Sequence, residues 1–410
     1  MSEAVKKPNQ TSTESYQPKT PEIACVIKEA QREASYPEAF TLPDKSTVIT
    51  GETRRNCPGY VTFANDFSYF MDYSGQGYGF IHRNENWRCD INYTLADIIT
   101  GYAMRPSCLE VTQEGLDRLY AAVGYPSRQT FYADSSKGEF MSEAGMKEAI
   151  KYTLCTLGQP VLLSPIESRF FGAIVIGYKD GGNVLITFGY PPYFIAPDNT
   201  QPQIEDITDW YKDSTALTII GKRQKALPDK ELYYQGIHQI YNYLKEGVKG
   251  KDSHYYDEWE NILRLESMND MITEVRRLNM IPGAQMFSHD LQEENIRDQM
   301  NALADPTWCE MSERRYYIMH FFYQAKQHFP EEAEAFQTLE DHFWRACEIM
   351  GNQQNGYIGE VGHDPVNAEA FENPEVRARM ADCVRQFRDA DAKGLDMVEK
   401  LLAIIRRKRS

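Results

Sequence analysis

The sequence predicts an α+β fold: a unit in which helices pack against antiparallel strands, followed by an all-α helical domain. Three observations predict it. Two apolar runs, Ala173 to Tyr178 and Val184 to Phe188, flank Lys179-Asp180-Gly181-Gly182-Asn183; Asp and Gly tolerate positive φ, so this segment reads as a β-hairpin. Elsewhere apolar residues recur at spacings of three and four, the mark of one helix face. After Lys225-Ala226-Leu227-Pro228 the strand patterns cease and nearly everything reads as helix. The chain therefore divides into a polar tail over 1–20, a mixed unit over 21–225 and a helical domain over 226–410.

Residues 1–20 are rich in Ser, Thr, Lys, Pro and Gln, the composition of a disordered tail. A short helix is expected over 22–34. From Pro58 the pattern turns helical, with Tyr60, Phe63, Phe67 and Phe70 on one face. This helix ends before the glycine loop Ser74 to Phe80. Further helices are expected from Asn92 to Ala103 and from Thr112 to Val123. Ser142 reads as an N-cap for a helix with Met146, Ile150, Leu154 and Leu157 inward, closed by Gly158 and Pro160. Strands follow at Val161 to Leu163, across the hairpin, and at Leu217 to Ile220. In the helical half, Ser312 is expected to cap a helix burying Ile318, Phe322 and Phe329. Pro330 opens the next, with Phe336, Leu339, Phe343, Cys347 and Met350 inward. Asn373-Pro374 starts the last, burying Val376, Met380, Cys383, Phe387, Val398, Leu402 and Ile405.

The formal net charge of −16 disfavours phosphate backbones and anionic membranes, so neither a nucleic acid nor a membrane is expected as partner. The one basic cluster, Arg406 to Arg409, ends a helix, where cations complement the macrodipole. The polar N-terminus lacks an apolar signal core, which makes the cytoplasm the default compartment. The eight cysteines form no C-x-x-C pair, which weighs against structural zinc. His320, His328, His342, Glu348, Glu360 and His363 lack the Glu-x-x-His spacing of a bundle metal site, so packed or solvated side chains are expected there. The Gly75-x-Gly77-x-Gly79 run follows a helix rather than a strand and is read as a tight loop. No metal and no cofactor is expected, and the oligomeric state is open.

The order of the first half carries a resemblance. A cysteine, Cys57, stands at a helix N-terminus. The glycine loop follows, then further helices, the strand Gly158-Gln159-Pro160-Val161-Leu162 and the hairpin Ala173 to Ile186. This resembles the papain-like fold of bacteriocin-processing cysteine peptidases, and more closely the BtrH-type proteins, named for an aminoacyl transferase of butirosin biosynthesis. The likeness covers residues 50–225, and such proteins also carry helical extensions. It implies a thiolate nucleophile at Cys57, an imidazole base and an amide or carboxylate to orient it.

The last two do not match. The family's histidine lies six residues before the hairpin glycine, Gly177, and that position is Phe171. The orienting residue is expected just before a proline on the partner strand, where the sequence reads Thr187-Phe188-Gly189-Tyr190-Pro191. Loss of the base alone removes on the order of 10²–10⁴ in rate. His82, after the glycine loop, is the alternative base. Tyr78, Phe171, Tyr190 and Tyr193 are the candidate cleft lining, since tyrosine joins apolar area to one polar tip. The expectation is a catalytically silent papain-like module holding a small molecule or peptide in the former active-site cleft. The alternatives are a Cys57-dependent acyltransferase, amidase or peptidase with an unconventional base, and an assembly protein acting through its helical domain.

Overall fold

The computed structural model describes residues 67, 70–71, 80–84, 87–102, 104–105, 111–163, 173–189, 203–213, 216–267, 270–271, 273–274, 310–352, 356–357, 359 and 373–409. A six-stranded antiparallel sheet joins β3 (Arg128–Phe131), β4 (Val161–Leu163), β5 (Ala173–Lys179), β6 (Val184–Gly189), β7 (Gln203–Ile207) and β8 (Leu217–Ile220), in the order β3-β8-β4-β5-β6-β7. A separate two-stranded ribbon pairs β1 (Phe80–Asn84) with β2 (Trp87–Asp90). The first half also carries α1 (Ile91–Thr100), α2 (Gln113–Ala122), α3 (Glu143–Tyr152) and the short α4 (Trp210–Asp213). The helical half carries α5 (Asp229–Val248), α6 (His254–Leu263), α7 (Glu310–Ala325), α8 (Ala333–Gly351) and α9 (Pro374–Arg409). The mixed helix-and-antiparallel-sheet architecture with a helical C-terminal region is as the sequence predicts.

The local signals act as their chemistry requires. Thr112 and Ser142 cap α2 and α3, each accepting from a backbone N–H three residues on, Gly115 and Gly145. Gly101, at φ +78°, ends α1, three residues short of the expected Ala103. Past α3 the backbone loosens into a π turn, Thr153–Leu157, before Gly158 reverses it at φ 65°. Leu157 is only half-buried there. The hairpin turn puts Asp180, Gly181 and Gly182 at positive φ, and the Gly182 carbonyl accepts from Trp210 Nε1 at 3.0 Å. Ser312 corrects one expectation. It lies inside α7, and its hydroxyl donates to the Cys347 carbonyl of α8 at 2.9 Å rather than capping a helix. Asn373 does cap α9, accepting from the Glu375 N–H.

The sheet is buried on both faces. Val161, Leu163, Val175, Leu185, Leu217 and Ile219 pack under Met146, Ala149, Ile150 and Trp210. The opposite residues Leu162, Ile174, Ile176 and Ile220 join a core with Phe67, Phe70, Leu95, Ile99 and Leu119. That same core continues into Ile237, Ile318, Phe322, Phe336, Val398 and Leu402 of the helical half. A second helical cluster gathers Tyr256, Trp259, Met311, Met350, Met380 and Phe387. In β5 the register shifts between Val175 and Gly177, so one extra residue, Ile176, is inserted. The bulge lets Ile176 face the helices while Tyr178 faces α3.

Candidate functional site

Two of the links that hold candidate site residues begin and end at one end of the six-stranded sheet. Leu163 of β4 faces Ala173 of β5, Ile174 faces Phe188 of β6, and Gly189 faces Gln203 of β7. The chain therefore leaves β4 and β6 and re-enters β5 and β7 at the same end. The two links, 164–172 and 190–202, hold Phe171, Tyr190 and Tyr193. Those three residues lie outside the described residues, as do Cys57 and Tyr78. His82 lies on β1, opposite Arg88 of β2 and off the six-stranded sheet.

Three residues of the helix expected after Cys57 are described. Phe67, Phe70 and Met71 are helical and buried. The Phe70 ring stands edge-on to Tyr120 and Tyr125, with centroids 5.5 and 4.9 Å apart, and all three residues share a core with Leu162, Ile174 and Ile176. This helix therefore lies on the sheet side that faces the helical half.

The imidazoles described in the helical half meet partners from that half. His238 stands edge-on to Tyr234, His320 edge-on to Tyr316, and His328 stacks on Tyr233 at 4.6 Å. His254 lies against Tyr255, and His342 Nε2 lies 2.8 Å from the Ala390 carbonyl. Among the described residues no three His, Cys, Asp or Glu side chains are placed to hold a metal ion; Glu360 and His363 lie outside them. Burial pushes the Cys347 thiol up to about 11, against a smaller opposing effect of the Ser312 hydroxyl. Burial likewise raises the Cys155 thiol, which sits 3.8 Å from the Tyr178 hydroxyl. Neither is a ready nucleophile at neutral pH.

The basic run at the end of α9 is tied down within the molecule. Lys408 Nζ reaches Glu331 at 2.8 Å and Glu332 at 2.9 Å. Arg409 pairs with Glu231 and lies 3.8 Å over the Tyr234 ring. No helix among the described residues is long and apolar enough to cross a membrane.

Sequence reasoning missed a second constellation, a seam of buried charge where the two halves meet. Arg314 Nη1 lies 2.9 Å from Asp97 Oδ2 on α1, both side chains wholly buried. The Arg314 guanidinium also lies 4.7 Å from the Tyr102 ring and 5.2 Å from that of Tyr317. Its neighbour Arg315 forks onto Asp391 of α9, Nε at 2.9 Å and Nη2 at 2.5 Å, and donates from Nη2 to the Met104 carbonyl at 3.0 Å. The Tyr256 hydroxyl of α6 gives Asp391 a further bond at 2.6 Å. Arg105 meets Asp252 at 2.9 Å. The legible signal was two successive arginines inside an aromatic-rich helix, where a charge has to find a partner. The partners lie 217 and 76 residues away, beyond any local pattern.

No family model, no curated protein and no solved structure matches the chain.

Proposed function

We propose that the first half is a papain-like unit whose cleft holds a small molecule or a short peptide without cleaving it. The observation that carries this reading is Phe171. It occupies the position of the expected imidazole, in the link that returns to the sheet two residues before β5. A phenyl ring cannot take a proton from a thiol, so that position offers Cys57 no base. The surroundings support the reading. The described imidazoles of the helical half are held by helical-half partners, and the helix bearing Phe67 and Phe70 packs on the sheet. Both links that carry the aromatic residues leave the same sheet end, which favours one shared cleft.

The test has two arms. Iodoacetamide at neutral pH, followed by peptide mapping, compares Cys57 with the other seven cysteines. Slow labelling of Cys57, no faster than an ordinary exposed thiol, is expected; rapid selective labelling would establish the thiol-dependent acyltransferase or hydrolase instead. A panel of amino-acid amides and dipeptides is then screened by thermal shift, since a ligand that binds only the native state raises Tm. A rise that disappears in Phe171→Ala is expected. A flat response across the panel would turn the reading toward an assembly role for the helical half.

A further inference from the structure

The seam of buried charge points to a property of the whole molecule. Successive residues on a helix point about 100° apart, so Arg314 and Arg315 address different neighbours from one short stretch of α7. Arg314 holds α1 of the first half through Asp97. Arg315 holds α9 through Asp391 and the turn after α1 through the Met104 carbonyl. Other polar ties cross the same boundary. Tyr243 on α5 donates to the Thr100 carbonyl at 3.1 Å, and Arg118 on α2 donates to Gln239 and Tyr243, each at 2.9 Å.

Such groups add little net stability, because taking each charge out of water costs about what the pairing returns. What they add is selectivity among arrangements. Apolar surfaces slide past one another cheaply, whereas moving α1 against α7 would break the wholly buried ion pair between Asp97 and Arg314. Among the described residues, the core on the helix-facing side of the sheet runs as one cluster from Ile174 to Phe336 and Leu402.

We infer that the helical half is locked to the sheet half as one cooperative unit, with no hinge near residue 226, and that Arg314 with Asp97 is the positioning pair that fixes the docking. The helical half is then a built-in wall of the first half, neither a lid that swings nor a module that detaches. This inference stands whether or not the sheet end binds a ligand.

Hydrogen exchange of the full chain in increasing sub-denaturing urea tests it. The slowest amides of β5 (Ala173–Lys179) and of α8 (Ala333–Gly351) are followed together. One cooperative unit requires both sets to exchange through the same opening, with the same urea dependence. Arg314→Met is expected to lower protection in both sets by the same factor, on the order of 10²–10³. Separate urea dependences in the unaltered chain would overturn the lock, and so would a loss confined to one half in the variant. If Arg314→Met does not fold, the unaltered chain alone decides.

Discussion

Replacement of Asp391 by asparagine tests how the buried seam is balanced. The carboxylate accepts two bonds from Arg315 and one from the Tyr256 hydroxyl, with Arg315 fully buried and Asp391 nearly so. Burial works against the charge on Arg315, and the Asp391 carboxylate together with the Tyr256 hydroxyl outweighs it, holding the guanidinium's pKa above its ordinary value. Asparagine keeps the shape and removes the charge that Arg315 meets through its two-bond fork in the interior. Removing one member of such a pair costs about 3–5 kcal/mol, roughly a fifth or more of a typical stability of about 5–15 kcal/mol. Tyr256→Phe is the control. It removes one bond to a charged acceptor, at about 1.5–3 kcal/mol, and leaves the fork intact. Urea unfolding followed by far-UV circular dichroism gives both values from the midpoints. If Asp391→Asn costs no more than Tyr256→Phe, charge compensation is not what the carboxylate contributes and the account of the seam fails.

Other outcomes follow from the same geometry. Gly236→Ala would place a methyl carbon 2.2 Å from the Phe321 ring between α5 and α7; a loss of about 1–3 kcal/mol is expected in urea unfolding, and an unchanged midpoint would mean that the two helices are not in such close contact. Acid lowers stability through two imidazoles. Burial and then the Arg406 and Arg409 charges lower the pKa of His238, and burial lowers that of His342 against the bond to the Ala390 carbonyl. Because the folded values lie below 6.5, their contribution is complete above that pH and is lost as pH falls through the folded values. The urea midpoint should drop between about pH 7 and about pH 5, and drop less in His238→Phe. At the alkaline end Cys347 acts in the opposite sense. Its thiol titrates near 9.0 unfolded and about 11 folded, so stability falls as pH rises across that window, by about 1.4 kcal/mol per unit of displacement, and Cys347→Ala should flatten the slope. Dithionitrobenzoate at pH 8, roughly half a unit below an ordinary free thiol, should reach Cys155 before Cys347 and Cys383; early loss of Cys347 would contradict its burial.

Much of the fold was legible because its signals are local. The Asp-Gly-Gly turn, the Thr112 and Ser142 caps, Gly158 and Asn373-Pro374 each act within a few residues, and the structure places each where its chemistry predicts. What escaped has physical reasons. β3, Arg-Gln-Thr-Phe, and β7, Gln-Ile-Glu-Asp-Ile, are short, polar strands at the two sheet edges, so they show no apolar alternation. In α7 Ile318 and Phe322 are buried as expected, but every residue from Met311 to Ala325 is buried or half-buried, so they do not stand out as one face. A helix wrapped on all sides carries no polar stripe against which to set its apolar one. Ser312 is therefore drawn to α8 and the helix begins ahead of it. Of the sheet, β4, the β5–β6 hairpin and β8 were legible, and His82 stands on β1. The shared core across residue 226 depends on pairs hundreds of residues apart, which periodicity does not report.

The span between Asp97 and Arg314 also has a temporal side. During synthesis at about 5–20 residues per second, the 217 residues between them take roughly 10–40 s to appear. Once residue 220 has appeared the sheet can form its hairpins, yet until Arg314 follows, Asp97 has not met it and Ile174 and Ile176 lack the helical side chains that will cover them. Arg315 then waits a further 76 residues for Asp391. The nascent chain thus passes through a half-finished stage with an apolar sheet face uncovered, and the two buried ion pairs can close only after it.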